Sequence, residues 1–436
     1  MIRRLFLLSV LIAALPACAS PLDENEQRMV EWIDAHAEDA IALLGEQVDI
    51  SSGTMNHVGV REVGKVLRRE LDALGLETEW IELPPEMERA GHLFGRKLTG
   101  SGKKFVLIGH LDTVFEADDE FQAFTRDGDT ATGPGVEDMK GGNTVIVYAL
   151  KALQEVGLLD DIPLVVAYTG EEEKPGTPLS ISRGELIEAG EWADVGLGFE
   201  SAITYDDSDW GTIARRSSSG WILTVEGKQA HSSGIFGENV GAGAIFEAAR
   251  ILDAFYEEVR GEEHLTFNAG TIQGGTDVDY EPEKNRGKTF GKTNVVPRKV
   301  IVHGGIRTIS QDQLDRAQAA MRAVVEKSLP HTNATIEFSE GYPPMFPSEG
   351  NRGLLSVLSQ VNDDLGRGPM QELDPSRRGA ADVSFVDPTT DTLAGLGPLG
   401  EGGHTPHESI DLSSLPLAIK RTAILIYRLS QEANVD

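Results

Sequence analysis

Long apolar runs and amphipathic segments alternate along the first half of the chain. Lys103–Gly109, Ile162–Tyr168 and Ala193–Phe199 each contain an almost continuous apolar run, which is typical of strands buried on both faces of a parallel sheet. An apolar-rich helix is predicted over Asn143–Val156, between the first two of these strands. This alternation predicts an α/β domain with a mostly parallel sheet. Further helices are predicted over Glu26–Leu44, Val58–Leu74 and Leu415–Ser430.

The order of the elements changes from about Ile213 onward. Six elements there follow one another as β-α-β-β-α-β, which is the ferredoxin-like arrangement. They are predicted over Trp221–Gly227, Val240–Val259, Leu265–Ile272, Val295–Ile306, Gln311–Leu329 and Ala334–Ser339. The sequence therefore predicts that residues 20–212 and 341–436 form one α/β domain, and that residues 213–340 form a small α+β domain inserted into it.

The first 19 residues have the pattern of an export signal. A basic start is followed by the apolar run Leu5–Ala14, which is too short to span a membrane as a mature helix. The single cysteine lies in Leu15-Pro16-Ala17-Cys18, which resembles a bacterial lipobox in which Cys18 is lipidated, and cleavage after Ala19 is the alternative. Both interpretations predict an exported, periplasmic protein, with or without a membrane anchor at Cys18. Neither leaves a cysteine in the folded body for disulfides or thiol catalysis.

Acidic residues strongly outnumber basic ones. The 70 Asp and Glu residues against 39 Lys and Arg residues give a formal net charge of −31. Such a chain repels phosphate backbones, which argues against a nucleic-acid partner. The length of 436 residues, of which 40% are hydrophobic, suits a globular protein of about two domains.

Histidine and carboxylate residues follow each of the three predicted strands. In chain order they are His110 and Asp112, then Glu171, Glu172 and Glu173, then Glu200. Ligands bind at the carboxyl ends of the strands in open α/β sheets, so these side chains are expected to share one crevice. Asp138, in the glycine-rich turn Gly133–Gly142, and His404, in the loop Gly402–Glu408, are further candidates.

These residue types suit a pair of zinc ions. Zinc takes histidine nitrogens and carboxylate oxygens, and two metal ions held together need a shared ligand, which one aspartate can supply. Each motif alone is weak evidence, because a lone histidine is more often structural and a run of glutamates is usually exposed. Their convergence at one edge of a sheet favours a metal site.

Together these motifs resemble the di-zinc metallopeptidase family of glutamate carboxypeptidases, aminoacylases, acetylornithine deacetylases and succinyl-diaminopimelate desuccinylases. The resemblance runs from Leu22 to the C-terminus and is carried by Ser51–Val60, Gly109–Thr113, Gly133–Gly142 and the Glu171-Glu172 pair. It is closest to the glutamate carboxypeptidase branch. It implies a zinc-exopeptidase catalytic domain with an inserted ferredoxin-like lid, which is also the dimerisation domain.

The resemblance also implies a role for each candidate in a site with two Zn²⁺ ions per subunit. It implies that Asp138 bridges the two metals and that Glu171 is the general base, while Asp112 orients the imidazole of His110. By the same resemblance, the remaining metal ligands would be His110 and Glu200 on one zinc, and Glu172 and His404 on the other.

The lid and the substrate loop supply the other implied residues. His231, in Gly227–Ser232, would stabilise the oxyanion in the partner's site of a homodimer, with Asn294 as a polar neighbour. Arg307 would bind a substrate carboxylate, and Gly379 lies in the substrate loop. Glutamate carboxypeptidases have Gly-Arg-Pro where this chain has Gly341-Tyr342-Pro343, so strict glutamate specificity is not implied.

The resulting expectation is an exported zinc hydrolase that cleaves small peptides or N-acyl amino acids with a free carboxylate. An aminoacylase-type deacylase would use the same chemistry on a different acyl group. A catalytically silent binding protein on the same scaffold is the alternative from another functional class, because a fold does not imply a function.

Overall fold

The structure is a computed structural model that describes residues 21–281, 284 and 286–432. The predicted export signal and Cys18 lie outside the described residues. Within the described ranges, no helix has both the length and the apolar character that a membrane span requires.

A six-stranded sheet forms the centre of the larger domain. In spatial order its strands are Glu77–Ile81, His92–Lys97, Leu164–Thr169, Phe105–His110, Val195–Gly198 and Asp391–Leu393. The last four strands in this order run parallel to one another, and the first two are joined by antiparallel pairings. The three strands predicted from apolar runs are therefore neighbours, and the prediction of a mostly parallel α/β sheet is confirmed.

Alternate residues of the central strand pack on opposite faces of this sheet. Phe105 and Leu107 belong to the large core cluster on one face, whereas Val106 and Ile108 belong to a smaller cluster on the other. Because both faces are covered, every position of the strand before His110 is apolar or small. The helices of this domain are Glu24–Ala35, Ala37–Val48, His57–Ala73, Lys140–Glu155, Leu179–Ser182, Gly184–Trp192, Glu349–Asp364 and Ser414–Gln431.

The first predicted helix is divided in two. The segment predicted as one helix over 26–44 forms two helices, which meet at His36, where the backbone leaves helical geometry (φ −113°, ψ 16°). The His36 ring stacks on Trp32 with centroids 4.1 Å apart, and its Nδ1 lies 2.8 Å from the Trp32 carbonyl oxygen. Apolar periodicity continues through the break, so the pattern alone does not detect it.

The inserted domain has the predicted ferredoxin-like order of elements. Its antiparallel sheet contains, in spatial order, Thr266–Gly275, Lys299–Arg307, Ser219–Gly227 and Thr332–Phe338. The helices Gly243–Ala254 and Gln311–Val325 share a core with the inward residues of this sheet. A hairpin that was not predicted, Asp277–Glu281 with Arg286–Phe290, interrupts the connection between two of the strands.

The two connections between the lid and the larger domain run side by side. Arg215 pairs with Met345, and Ser218 pairs with Tyr342, in short antiparallel bridges. The chain therefore enters and leaves the lid at one place. Short strands complete the fold at Thr125–Asp127, Thr130–Thr132, Ile203–Tyr205, Ser208–Gly211, Gln371–Glu372, Gly400–Glu401 and Ser409–Asp411.

Truncating the central strand tests this core. Leu107 is completely buried, so Leu107→Ala should lower the free energy of unfolding by about 2–5 kcal/mol, because it leaves a cavity that the neighbours cannot fill. Urea denaturation followed by circular dichroism measures the change. Val58→Ala is the control, since Val58 is 71% exposed and its truncation should cost less than about 0.5 kcal/mol. Equal effects of the two substitutions would contradict the packing described here.

Candidate metal centre

The carboxylate of Asp138 lies between two histidines. Its Oδ1 is 3.1 Å from Nε2 of His110, and its Oδ2 is 3.1 Å from Nε2 of His404. His110 ends a central strand, Asp138 lies in the turn before the helix Lys140–Glu155, and His404 lies in a C-terminal loop. Each carboxylate oxygen thus faces a different imidazole, as a ligand shared by two metal ions would.

Glu173 lies beside His404 in the same group. Its Oε2 is 3.2 Å from Nε2 of His404, while its Oε1 is buried and has no hydrogen-bond partner in the part of the chain that the structure describes. Ligand atoms of His110, Asp138 and Glu173 all lie within 4.8 Å of one another. Because an unsatisfied buried oxygen carries a desolvation cost of about 1–3 kcal/mol or more, a cation at this position fits the arrangement.

Asp112 joins the ends of two neighbouring strands. Its fully buried carboxylate accepts hydrogen bonds from the Thr54 hydroxyl at 2.6 Å and from the backbone amides of Glu172 at 3.0 Å and Glu173 at 3.2 Å. The Nδ1 of His110 is 3.0 Å from the Asp112 carbonyl oxygen and 3.5 Å from its carboxylate. Asp112 therefore orients His110 chiefly through its backbone, which leaves Nε2 directed at Asp138.

Glu172 and Glu200 line a small cavity next to His110. Glu200 accepts a 2.6 Å hydrogen bond from Nη2 of Arg215, which compensates its charge. Among the described residues, no donor is hydrogen-bonded to the Glu172 carboxylate, and burial raises its pKa well above the usual range. Glu172 is thus a free carboxyl group directly beside the histidine and carboxylate cluster.

Glu171 points away from this cluster into the protein. Its carboxylate is fully buried and accepts hydrogen bonds from Nη1 of Arg183 at 2.7 Å, from the Gly176 amide at 2.7 Å and from the Ser182 hydroxyl. None of these partners belongs to the histidine and carboxylate cluster, and the charge of the carboxylate is neutralised by Arg183.

The glutamate beside His404 lies one residue further along the chain than expected. Glu171 was the expected base and Glu172 the expected ligand beside His404, but the structure places Glu173 beside His404 and Glu172 in the cavity. The motif contains three consecutive glutamates, so its sequence alone does not determine which one faces the histidines. The hydrogen bonds that two of their amides donate to the Asp112 carboxylate set that register.

The charged groups of the cluster suit the binding of cations. Burial by itself would raise the pKa of Asp138, but hydrogen bonds from His110 and His404 lower it overall. The hydrogen bonds to Asp138 and Glu173 raise the pKa of His404 to about 11. Protons and metal ions compete for the same imidazole nitrogens, so a divalent cation can take the place of these protons. The donor set of imidazole nitrogens and carboxylate oxygens is the one that zinc uses.

Residues 106–428 match the family described as peptidase family M20/M25/M40. This chain belongs to that family. Carboxypeptidase G2 from Pseudomonas sp. (strain RS-16) is 25% identical over 439 residues, which cover 98% of each chain. The succinyl-diaminopimelate desuccinylase of Alkalilimnicola ehrlichii is 25% identical over 367 residues, which cover 80% of this chain and 89% of that protein.

A solved structure agrees with this assignment at the level of the fold. A Bacillus subtilis protein, described as a dinuclear metal binding peptidase from the M20 family, superimposes with a TM-score of 0.62 at 15% identity, covering 91% of this chain and 99% of that one. The family resemblance inferred from the motifs is confirmed. The M20 chain is a hydrolase of the exopeptidase and amidohydrolase type, from a family whose members bind metal ions.

The predicted lid residues lie together on the surface of the M20 lid. His231 and Asn294 are exposed on neighbouring segments, where Val295 pairs with His231 and the Ser232 amide donates to the Asn294 carbonyl at 2.9 Å. His231 Nδ1 is 2.8 Å from the Ser233 hydroxyl. Within the described part of one chain, no hydrogen bond joins either side chain to the cluster around Asp138.

The two predicted substrate residues occupy different positions. Arg307 ends the lid strand Lys299–Arg307 and is half-buried, and burial together with the neighbouring Arg216 lowers its pKa. The Gly379 carbonyl accepts a 3.1 Å hydrogen bond from Arg215, whose guanidinium also binds Glu200. The loop that contains Gly379 is therefore linked to Glu200 through one arginine.

The turn that carries Asp138 depends on a residue that the sequence analysis missed. The buried carboxylate of Glu408 accepts hydrogen bonds from the backbone amides of Gly135, Glu137 and Asp138 at 2.9–3.0 Å. The peptide bond after Asp138 is cis. A Cβ at Gly142 would lie 1.8 Å from the Phe199 carbonyl oxygen. Glycine is therefore required for the helix Lys140–Glu155 to approach the residue that follows the strand Val195–Gly198. Glu408 lies in the same loop as His404, and nothing in the sequence distinguishes it from an ordinary loop residue.

Removing the Glu408 carboxylate tests its role in holding Asp138. Glu408→Ala leaves three amides of the turn without an acceptor, so metal affinity should fall by about 10- to 100-fold, as is usual for residues that orient ligands. Competition with a chromogenic chelator measures the affinity. His407→Ala is the matched control, because His407 is exposed in the same loop. An unchanged affinity in Glu408→Ala would show that the turn holds Asp138 without this carboxylate.

Proposed function

We propose that this chain hydrolyses the amide bond of a small peptide or an N-acyl amino acid that carries a free carboxylate, with two zinc ions as cofactors. The observation that carries the proposal is the Asp138 carboxylate between His110 and His404, with the unpartnered oxygen of Glu173 beside it. His110 and Glu200 would hold one ion, and Glu173 and His404 the other, with Asp138 shared between them.

Glu172 is the proposed general base. When bound, the two ions would polarise the amide carbonyl and lower the pKa of water at the site. Glu172 lies in the cavity with His110, and its carboxylate is not engaged by any hydrogen-bond donor in the described residues. It accepts the proton of the attacking water and returns it to the leaving amine. Glu171 does neither, because its carboxylate is bound to Arg183.

Arg307 is the proposed partner of the substrate carboxylate. Within the described residues, no carboxylate forms an ion pair with Arg307, and the neighbouring cation Arg216 adds to the positive potential there. A guanidinium group binds a carboxylate with two parallel hydrogen bonds, which suits this role. The names of the relatives, a carboxypeptidase and a desuccinylase, support a substrate with an amide bond next to an acidic group.

We also propose a homodimer formed through the lid, in which His231 reaches the partner's site with Asn294 beside it. The exposed aromatic rings of Phe236 and Phe246, which contact each other at 5.4 Å, support an apolar contact surface on the lid. The strand Thr266–Gly275 forms an edge of the lid sheet, where a second copy could pair.

Export to the periplasm is the remaining proposal. It rests on the basic and apolar pattern of residues 1–20, with lipidation at Cys18 as one form and cleavage after Ala19 as the other. The pattern supports secretion in either form, and the difference between them is whether the mature protein is attached to a membrane.

A deacylase of N-acyl amino acids is the second candidate. The similarity to succinyl-diaminopimelate desuccinylases favours it, because those enzymes are named for the removal of an acyl group. Both candidates use the same residues and differ only in the group on the far side of the amide bond.

A substrate panel tests the function. Protein from residue 21 onward, loaded with zinc, should release amine from at least one member of a panel of dipeptides, folate-type glutamates and N-acyl amino acids. A chelator should abolish this activity, and added zinc should restore it. Preferred cleavage of dipeptides or glutamates would support the carboxypeptidase, and preferred cleavage of N-acyl amino acids the deacylase. No cleavage by protein that holds two zinc ions would refute hydrolysis of this substrate class.

Two isosteric substitutions test whether Glu172 or Glu171 is the general base. Glu172→Gln should retain both metal ions and the unfolding temperature but lose at least about 100-fold in kcat, because a positioned base contributes about 10²–10⁴-fold. Glu171→Gln should instead lower stability, by about 3–5 kcal/mol if the buried pair with Arg183 is broken, while the folded fraction stays active. Steady-state kinetics and thermal unfolding separate the two. The reverse pattern would make Glu171 the general base, as the family resemblance implied.

A further inference from the structure

A fully buried arginine connects several segments behind the candidate metal centre. Arg183 contacts Glu171 through Nη1, Asp382 through Nε and the Tyr342 hydroxyl through Nη2, each at 2.7 Å. Asp382 also accepts a 2.5 Å hydrogen bond from the Thr169 hydroxyl at the end of the strand Leu164–Thr169. This network contributes no proposed metal ligand, yet it adjoins the segment that carries Glu172.

Tyr342 directs its hydroxyl into this network. The hydroxyl accepts a hydrogen bond from Arg183 and donates its one proton to the Glu172 carbonyl oxygen at 2.9 Å. The side chain is 9% exposed, and its ring packs edge-on against Phe385 at 5.0 Å. The hydroxyl therefore has no proton left to donate to a substrate carboxylate.

The backbone of Tyr342 belongs to the junction between lid and catalytic domain. Its amide donates to the Ser218 carbonyl and its carbonyl accepts from the Ser218 amide, both at 3.0 Å. Ser218 lies on the chain that enters the lid, and Tyr342 on the chain that leaves it. One residue thus joins both lid connections to the carbonyl group of Glu172.

Both backbone groups of Glu172 are consequently held by buried side chains. The amide donates to Asp112 at 3.0 Å, and the carbonyl accepts from Tyr342 at 2.9 Å. With the main chain fixed at both groups, the Glu172 carboxyl group can change position only by rotation of its side chain. A base must lie within hydrogen-bond reach of the proton it removes, so this restraint bears directly on the reaction.

We propose that Tyr342 is a positioning residue for Glu172. Its hydroxyl, anchored by Arg183, holds the Glu172 backbone and links it to the junction between the lid and the catalytic domain. This inference rests on the proposed function, which makes Glu172 the general base. In this role Tyr342 positions the general base and does not bind the substrate. The loss of its hydroxyl should therefore affect the turnover of every substrate equally.

Tyr342→Phe removes only the hydroxyl. We expect kcat to fall by about 10- to 100-fold, the scale of effect that a misplacement of about 1 Å has on an enzyme reaction. KM and the zinc content should stay within about twofold of the unmodified protein, since the same contacts bind substrate and metal. The fall should be equal for a substrate with a free carboxylate and for its carboxamide.

Hydrogen–deuterium exchange gives a readout that does not need activity. In metal-loaded Tyr342→Phe, the amides of residues 172–174 should exchange faster than in the unmodified protein, because the carbonyl of Glu172 loses its partner. Tyr427→Phe is the matched control, since the Tyr427 hydroxyl bonds to Asp23 at 2.9 Å on the exposed surface and neither readout should change.

The outcomes distinguish this inference from the proposed function. An unmodified protein without chelator-sensitive activity would refute the proposed function, while the exchange rates would still test the restraint on the segment. Unchanged kcat and exchange in Tyr342→Phe would overturn the positioning role. A loss confined to KM for the free carboxylate would assign Tyr342 to the substrate. A loss of zinc or of the folded state, in place of a fall in kcat, would overturn it in favour of a structural role.

Discussion

The carboxylate of Asp112 is removed from water and accepts three hydrogen bonds, and the arrangement of the candidate metal centre depends on them. One comes from Thr54, and the other two come from the amides of Glu172 and Glu173. They attach the end of one central strand to the segment that follows its neighbour. Because a buried carboxylate without partners would be costly, the two strand ends have little freedom to slide past each other. The orientation of His110 and the register of the glutamates follow from this attachment.

The carboxylates of this region differ in how their charge is compensated. Arg183 neutralises Glu171 and Asp382, which are not proposed ligands, whereas Arg215 pairs with the proposed ligand Glu200. Within the described residues, the ion-pair partners of Asp138 and Glu173 are imidazole groups, and Oε1 of Glu173 has no hydrogen-bond partner. In a chain with a formal charge of −31, this local excess of carboxylate is what a pair of divalent cations would compensate. The same comparison explains why three adjacent glutamates have three different environments.

Much of the fold could be predicted because strands that are buried on two faces appear in the sequence as continuous apolar runs. The strand Phe105–His110 and its neighbours were predicted from apolar runs, and the order of the lid elements from their periodicity. The break at His36 and the hairpin Asp277–Glu281 with Arg286–Phe290 were not predicted. The break at His36 involves a stacking contact with Trp32. The hairpin is exposed and has no periodic pattern of apolar residues that would face a core.

The sequence by itself determined the family, the α/β architecture with an inserted lid, and the residue types of the site, because these depend on local patterning and on motifs within short segments. The tertiary structure decided which of the three glutamates meets His404, since that register is set by Asp112 from another strand. It also decided the roles of Glu408 and Tyr342, which act through hydrogen bonds to backbone groups 270 and 170 residues away in the chain. Such long-range contacts follow from how the elements pack, and they leave no periodic pattern in the sequence.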